Sequence, residues 1–173
     1  MSKNVVSVSV PGNREKVLDL MRKEDKAVLP VVKGDTKQLV GLITRSDLIV
    51  NPDEEQIAIL MSTDLVTASP DDDVADVAKK MIDNNVRRVP VVDDNGDLVG
   101  IITSFDLVAN ALIKLESDDP VENFMITTVP TTWYKTPLNV AFETMKQFGL
   151  KSVLALNDSA KLVGILTETD FIE

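Results

Sequence analysis

Three stretches of this chain are close to being the same stretch. Leu39-Val-Gly-Leu-Ile-Thr-Arg-Ser-Asp-Leu-Ile49, Leu98-Val-Gly-Ile-Ile-Thr-Ser-Phe-Asp-Leu-Val108 and Leu162-Val-Gly-Ile-Leu-Thr-Glu-Thr-Asp-Phe-Ile172 share Leu, Val, Gly, Thr and Asp at matching places. They recur at intervals of roughly 60 residues, which marks a structural unit used three times. The likeness runs upstream. Pro30 and Pro90 sit in Val28-Leu-Pro-Val-Val32 and Arg88-Val-Pro-Val-Val92, with Leu154 in the matching place, and Met21, Met81 and Met145 also correspond. Met1-Ser2-Lys3-Asn4-Val5 resembles Met61-Ser62-Thr63-Asp64-Leu65, so repeat one begins almost at the first residue. The boundaries expected are 1–52, 53–117 and 118–173.

Each unit reads strand–helix–strand–strand–helix, an α+β pattern. Opening strands are expected over Val5–Ser9, Leu65–Ser69 and Thr128–Trp133 from their β-branched content. A helix follows. Val74, Val77, Ala78, Met81 and Ile82 keep the i, i+3, i+4, i+7, i+8 spacing of one apolar face, as do Leu138, Ala141, Phe142 and Met145. The acidic run Asp71–Asp73 suits the positive end of the helix dipole. Asp94-Asn95-Gly96-Asp97 is a hairpin turn signal between two apolar strands. The last strand of each unit is expected to end at Thr44, Thr103 or Thr167, where a second helix begins. A unit of about 60 residues is marginal alone, so pairing between units is expected.

Composition closes off several chemistries. The 173 residues include no cysteine and no histidine. Disulfides, thiolate nucleophiles, Cys/His metal sites and His-based acid–base catalysis are therefore excluded. No P-loop or dinucleotide-binding glycine motif is present. The apolar runs are far shorter than the ~20 residues a membrane helix needs, and no signal-peptide core opens the chain. A cytoplasmic protein without a membrane span is expected. The net charge of −10 disfavours nucleic acid, whose affinity rests on many cationic contacts. It leaves a small phosphorylated ligand open wherever a few basic residues converge.

With the Gly-h-h-Thr-x-x-Asp segment and its upstream h-Pro-Val strand present in ordered copies, the chain resembles the CBS (cystathionine-β-synthase-type) domain family over essentially its whole length. The resemblance implies that repeats one and two pair through their sheets into a pseudo-two-fold module. Repeat three, with only Glu168 to Glu173 for its second helix, is expected to be truncated or to pair across chains. The resemblance further implies a non-enzymatic regulatory module with no catalytic residues and no metal. It would bind an adenosine ligand (AMP, ADP, ATP or S-adenosylmethionine) in clefts between repeats, act on a protein partner or a missing C-terminal segment, and form a homodimer.

Thr-x-x-Asp has the form of a helix capping box, so a module in which these residues only cap helices is the alternative. On the resemblance, Asp47, Asp106 and Asp170 would accept the ribose hydroxyls. Thr44, Thr103 and Thr167, with Ser104, would meet phosphate at a helix N-terminus. The base would lie against Val66, Thr67, Ala68, Val89 and Pro90 in repeat two, and against Val6, Ser7, Val8, Leu29 and Pro30 in repeat one. Arg87, Arg88 and Arg45 are the candidate phosphate cations, because guanidinium binds phosphate bidentately. Repeat two is the best site, repeat one the second. In repeat three Lys151-Ser152 replaces the arginines and Leu154 the proline. Trp133 and Tyr134 are expected to pack in a core or interface rather than to stack on a base.

Overall fold

The apolar runs flanking each turn fold as hairpins, and the amphipathic segment ahead of each hairpin packs on it as a helix. The computed structural model describes residues 5–112, 120–123 and 125–171. Repeat one contains β1 (Val8–Val10), α1 (Arg14–Lys23), β2 (Val28–Lys33), β3 (Leu39–Thr44) and α2 (Arg45–Val50), with a one-turn helix α3 (Ile57–Leu60) behind it. Repeat two contains α4 (Val74–Asp83), β4 (Arg88–Val92), β5 (Leu98–Thr103) and α5 (Ser104–Leu112). A 3-10 turn at Val121–Asn123 precedes repeat three, which contains β6 (Thr131–Trp133), α6 (Leu138–Gln147), β7 (Ser152–Leu156) and β8 (Leu162–Thr167) and closes with the 3-10 turn Glu168–Phe171. The mixed α+β repeat read from the sequence is the one observed. Among the described residues, no helix is long and apolar enough to cross a membrane.

The opening strands are shorter than expected. Repeat one pairs only from Val8, repeat three only from Thr131, and in repeat two the strand reduces to a single bridge, Ala68 to Val91. β1 and β6 run parallel to β2 and β7, which are antiparallel to β3 and β8. The hairpin register is the same in all three repeats. Val31, Val91 and Ala155 face Gly41, Gly100 and Gly164, and a bulge follows each pair.

The first helices also end alike. Asp25, Asn85 and Gly149 take left-handed φ values of 47°, 51° and 61°, a conformation that Gly and short polar side chains tolerate best. The next amide then bonds back to Met21, Met81 or Met145. The helix faces bury less than their periodicity predicts. Val77 and Met81 are buried, but Val74 and Ile82 are 61% and 79% exposed. Ala141 and Met145 are buried while Leu138 is half-exposed. One narrow seam meets the sheet, and the flanks of the stripe stay in solvent.

The chain divides into two compact units, Met1–Ser117 and Asp118–Glu173. Within the first, repeats one and two pair reciprocally. The Leu39 N–H donates to the Gly96 carbonyl at 3.1 Å and the Leu98 N–H donates to the Lys37 carbonyl at 2.8 Å. Leu39 and Leu98 are equivalent positions, as are Lys37 and Gly96, so the two bonds are related by a pseudo-two-fold axis through the bridge Gln38–Asp97. Repeat two's lead-in crosses to repeat one, where Ser62 and Leu42 exchange both backbone bonds, at 2.8 and 3.0 Å. Gly41 is required there. A β-carbon on it would stand 2.6 Å from Met61 Sδ and 3.1 Å from the Ser62 carbonyl.

Candidate functional site

Each repeat turns from its last strand into its second helix at the same corner. Thr44 is extended (φ −113°, ψ 162°) and serves as the N-cap of α2. Its Oγ1 accepts from the Asp47 N–H at 3.2 Å and donates to Asp47 Oδ2 at 2.7 Å, while its N–H donates to the same Oδ2 at 2.8 Å. Thr103 and Asp106 repeat the arrangement at 3.1, 2.7 and 2.8 Å. In repeat three, Thr167 holds Asp170 Oδ2 from its N–H at 2.7 Å and from its Oγ1 at 2.9 Å. The capping box is thus formed.

This geometry limits what each group can still do. The threonine hydroxyl has one proton, and the aspartate holds it, so in this conformation Thr44, Thr103 and Thr167 have none to donate to a phosphate. The first helical amide is also engaged: Arg45, Ser104 and Glu168 N–H donate to the carbonyls of Ala27, Arg87 and Lys151. That amide is therefore not open to a phosphate in this conformation. Burial tends to raise the Asp106 carboxyl, but the Thr103 hydroxyl and amide outweigh it and hold the group below the usual carboxylate range.

The proline sets how the lead-in pairs with the hairpin. In repeat two the Ala68 N–H donates to the Pro90 carbonyl at 3.0 Å and the Val92 N–H donates to the Ala68 carbonyl at 2.9 Å. The next bond of this parallel ladder would run from residue 90 to the Val66 carbonyl. Proline has no N–H to make it, so the ladder stops and the lead-in leaves the sheet for repeat one. Pro30 stands in the same relation to Val6. Repeat three supplies the control: Leu154 has the N–H, and it donates to the Pro130 carbonyl at 3.1 Å. What the h-Pro-Val motif does locally is to withhold one donor from the Val66 or Val6 carbonyl.

The remaining sequence candidates fall in different places. Val89 and Ala68 lie in the helix-facing core with Val77 and Met81, and Leu29 lies in the equivalent core of repeat one. Pro30 and Pro90 are buried on the opposite face of their strands. Val6, Ser7, Val8, Val66 and Thr67 are half-buried, and Arg87 and Arg88 are exposed. Arg45, by contrast, is folded over the end of α1. Its guanidinium donates to the Met21 carbonyl at 3.5 Å and lies 3.8 Å from Asp25, with 11% of the side chain accessible. The helix C-terminal carbonyls attract it there.

Two features had no clear sequence signal. Lys80 Nζ bonds Asp72 at 2.6 Å and the Thr67 carbonyl at 3.3 Å, tying α4 to the lead-in. The equivalent residue in repeat one is Leu20, and there a cavity of about 400 Å³ opens between β1 and α1, lined by Ser7, Val8, Gly12, Lys16 and Leu20 among others. Trp133 and Tyr134 sit edge to face, 48% and 44% exposed, with Lys135 near both rings. The Trp133 indole donates to Asp158 at 2.8 Å, so these rings are not in a core.

The CBS-domain family profile matches residues 1–52, 55–112 and 121–173. The chain belongs to the CBS-domain family. Among curated proteins, uncharacterized protein MK0525 of Methanopyrus kandleri is 36% identical over 85 residues, covering 45% of this chain and 43% of that protein. The chain thus spans less than half of that relative's length. Among solved structures, protein MJ1225 from Methanocaldococcus jannaschii matches 99% of this chain and 69% of its own, with a TM-score of 0.87 and 23% identity, a likeness of fold. The CBS domain pair of protein MJ0100, in complex with 5′-methylthioadenosine and S-adenosyl-L-methionine, is 31% identical over 66% of this chain and 94% of its own, with a TM-score of 0.61. CBSX2 in complex with AMP is 26% identical over 65% of this chain and 91% of its own, with a TM-score of 0.58.

Proposed function

We propose that repeats one and two form a regulatory module that binds an adenosine-bearing ligand and transmits its presence to a protein partner. The observation that carries this reading is the proline-interrupted ladder at Pro90 and Pro30. It withholds a donor on the neighbouring strand from the Val66 and Val6 carbonyls, in the same repeats whose corners hold Asp106 and Asp47. An adenine amine is a donor suited to such a carbonyl. The vicinal hydroxyls of a ribose are donors suited to a carboxylate, which accepts at several lone pairs and donates none. Arg87, Arg88 and the Ser104 hydroxyl are then the groups for phosphate. That two related CBS structures hold adenosine compounds supports the ligand class.

Binding acts by population shift. A ligand that touches both repeats favours one relative orientation of them only by its difference in affinity for the two. Such a sensor belongs in the cytoplasm, where these nucleotides turn over. Repeat three, with the Leu154–Pro130 bond in place, is not a site in this reading.

The test is a thermal-shift screen of AMP, ADP, ATP and S-adenosylmethionine, with and without magnesium. A ligand at 100 times its dissociation constant stabilises by about 2.7 kcal/mol, which corresponds to several degrees at roughly 2–4 °C per kcal/mol. Absence of any shift at millimolar concentrations removes the proposal. The self-satisfied capping boxes favour a second reading, in which Thr-x-x-Asp only starts helices. Asp106→Ala separates the two. Under the sensing reading the ligand-induced shift falls while the apo protein stays folded. Under the capping reading the apo protein alone changes, by about 0.5–1 kcal/mol.

A further inference from the structure

Repeats one and two finish the edge between lead-in and first helix in different ways. In repeat two the edge is filled by the chain's own groups. Lys80 reaches from α4 to the Thr67 carbonyl at 3.3 Å and to Asp72 at 2.6 Å, and the Ser69 hydroxyl accepts from the Asp71 N–H at 3.4 Å. The equivalent positions in repeat one are Leu20, Ser7, Gly12, Ser9 and Pro11. Leu20 brings no ammonium to the Ser7 carbonyl, Gly12 no carboxylate, and Pro11 no N–H to Ser9. The cavity of about 400 Å³ lies at this edge, between β1 and α1. Small-molecule sites fall in the range of roughly 300–1,000 Å³.

We propose that this cavity binds a small organic anion that carries an apolar body and one hydrogen-bond donor. Charge gives the sign. Lys16 and Lys23 line the cavity where α4 has Asp76 and Asp83. Asp19, the acidic residue of the lining, lies 3.9 Å from Arg22. Residues 1–52 hold nine of the chain's 18 basic residues and six of its 28 acidic ones, so repeat one is net positive in a chain of charge −10. The apolar wall is Val17 and Ile57, buried to 0% and 1% accessible, with Leu20 beside them. Ile57 is held in place by its own N–H, which donates to the Gly12 carbonyl at 3.3 Å, and by the Arg14 N–H, which donates to the Glu55 carbonyl at 2.9 Å. A β-carbon on Gly12 would stand 2.9 Å from Ile57 Cδ1 and 2.5 Å from the Ser9 carbonyl, so this approach needs the glycine. Thr44, Asp47, Leu29 and Pro30 do not line the cavity, though Ser7 and Val8 do. The site therefore stands or falls separately from the nucleotide reading.

Three probes with one body and different charge test this: 4-hydroxyphenylacetate, its neutral amide, and the cation tyramine. Each has a phenol O–H suited to the Ser7 carbonyl. In amide NMR titrations, 4-hydroxyphenylacetate is expected to give saturable shifts centred on Ser7, Gly12, Lys16 and Leu20. The amide should bind at least about tenfold more weakly, because it forfeits the charge-assisted contacts to lysine, and tyramine should give no shifts there. Leu20→Lys rebuilds the lysine of repeat two and should abolish binding. Lys16→Asp with Lys23→Asp alters only exposed side chains, so it should keep the fold and weaken the anion by at least about tenfold. Four results would each overturn the proposal: no saturable shift at millimolar 4-hydroxyphenylacetate, tyramine binding as tightly, shifts centred on Thr44 and Asp47 instead, or binding that survives the double lysine variant. A failed nucleotide screen would leave it standing.

Discussion

At the scale of single residues, the difference between repeats two and three turns on one N–H. Pro90 cannot donate to the Val66 carbonyl, whereas Leu154 donates to Pro130. Pro90→Ala restores the donor with little change in shape. It is expected to abolish the nucleotide-induced thermal shift and to give residue 90 a protected amide in hydrogen exchange, with the fold retained; a variant that kept the full ligand response would show that the open carbonyl is not used. The proline was legible in the sequence as a repeated position. Its role was not, because which backbone group faces a missing donor depends on a parallel register that the sequence does not state. The aspartates were legible as caps, and the capping bonds are present. The structure adds that one oxygen of each is already committed to its threonine.

At the scale of elements, α4 is held by a narrow seam and one polar tie. Met81 is buried and Ile82 is 79% exposed, although both belong to the same apolar stripe by spacing. Met81→Ala should cost about 2–5 kcal/mol, while Ile82→Ala should stay within about 0.5 kcal/mol, read from denaturant midpoints. The tie is Lys80. Its bond to Asp72, then the Ser69 backbone, hold the Asp72 carboxyl below its usual range. A carboxylate with a folded-state pKa below its unfolded value of about 3.9 stabilises the fold above that value and loses the contribution as pH falls through the lower one. Lys80→Met should therefore flatten the acid limb of the stability curve below about pH 4, with little effect on its shape at neutral pH; an unchanged acid limb would remove the tie from the account. Periodicity predicted these helices correctly and predicted their buried width poorly. The i, i+3, i+4 rule marks what is apolar, and only the sheet decides how much of that it covers.

At the scale of the whole molecule, two repeats are paired and the third is a compact unit of its own. If the proline-interrupted ladders are the sites, calorimetric titration should reach at most two ligands per chain, with repeat three contributing none. A third equivalent of comparable affinity would contradict the Leu154–Pro130 argument.

By itself the sequence determined the repeating unit, its α+β order, the hairpins, the helix-starting Thr-x-x-Asp corners and the family. Each of these rests on local signals that recur: turn residues, apolar period and caps. Tertiary structure alone decided that the lead-in of repeat two crosses to Leu42, that Arg45 folds over α1, and that the threonine hydroxyls are already engaged. It also decided that Gly41 is packed against Met61 and Ser62, while a β-carbon on Gly164 would meet nothing within 4 Å. These depend on which backbone donors and acceptors meet across distant segments, and nearly the same residues give opposite answers according to what is packed against them.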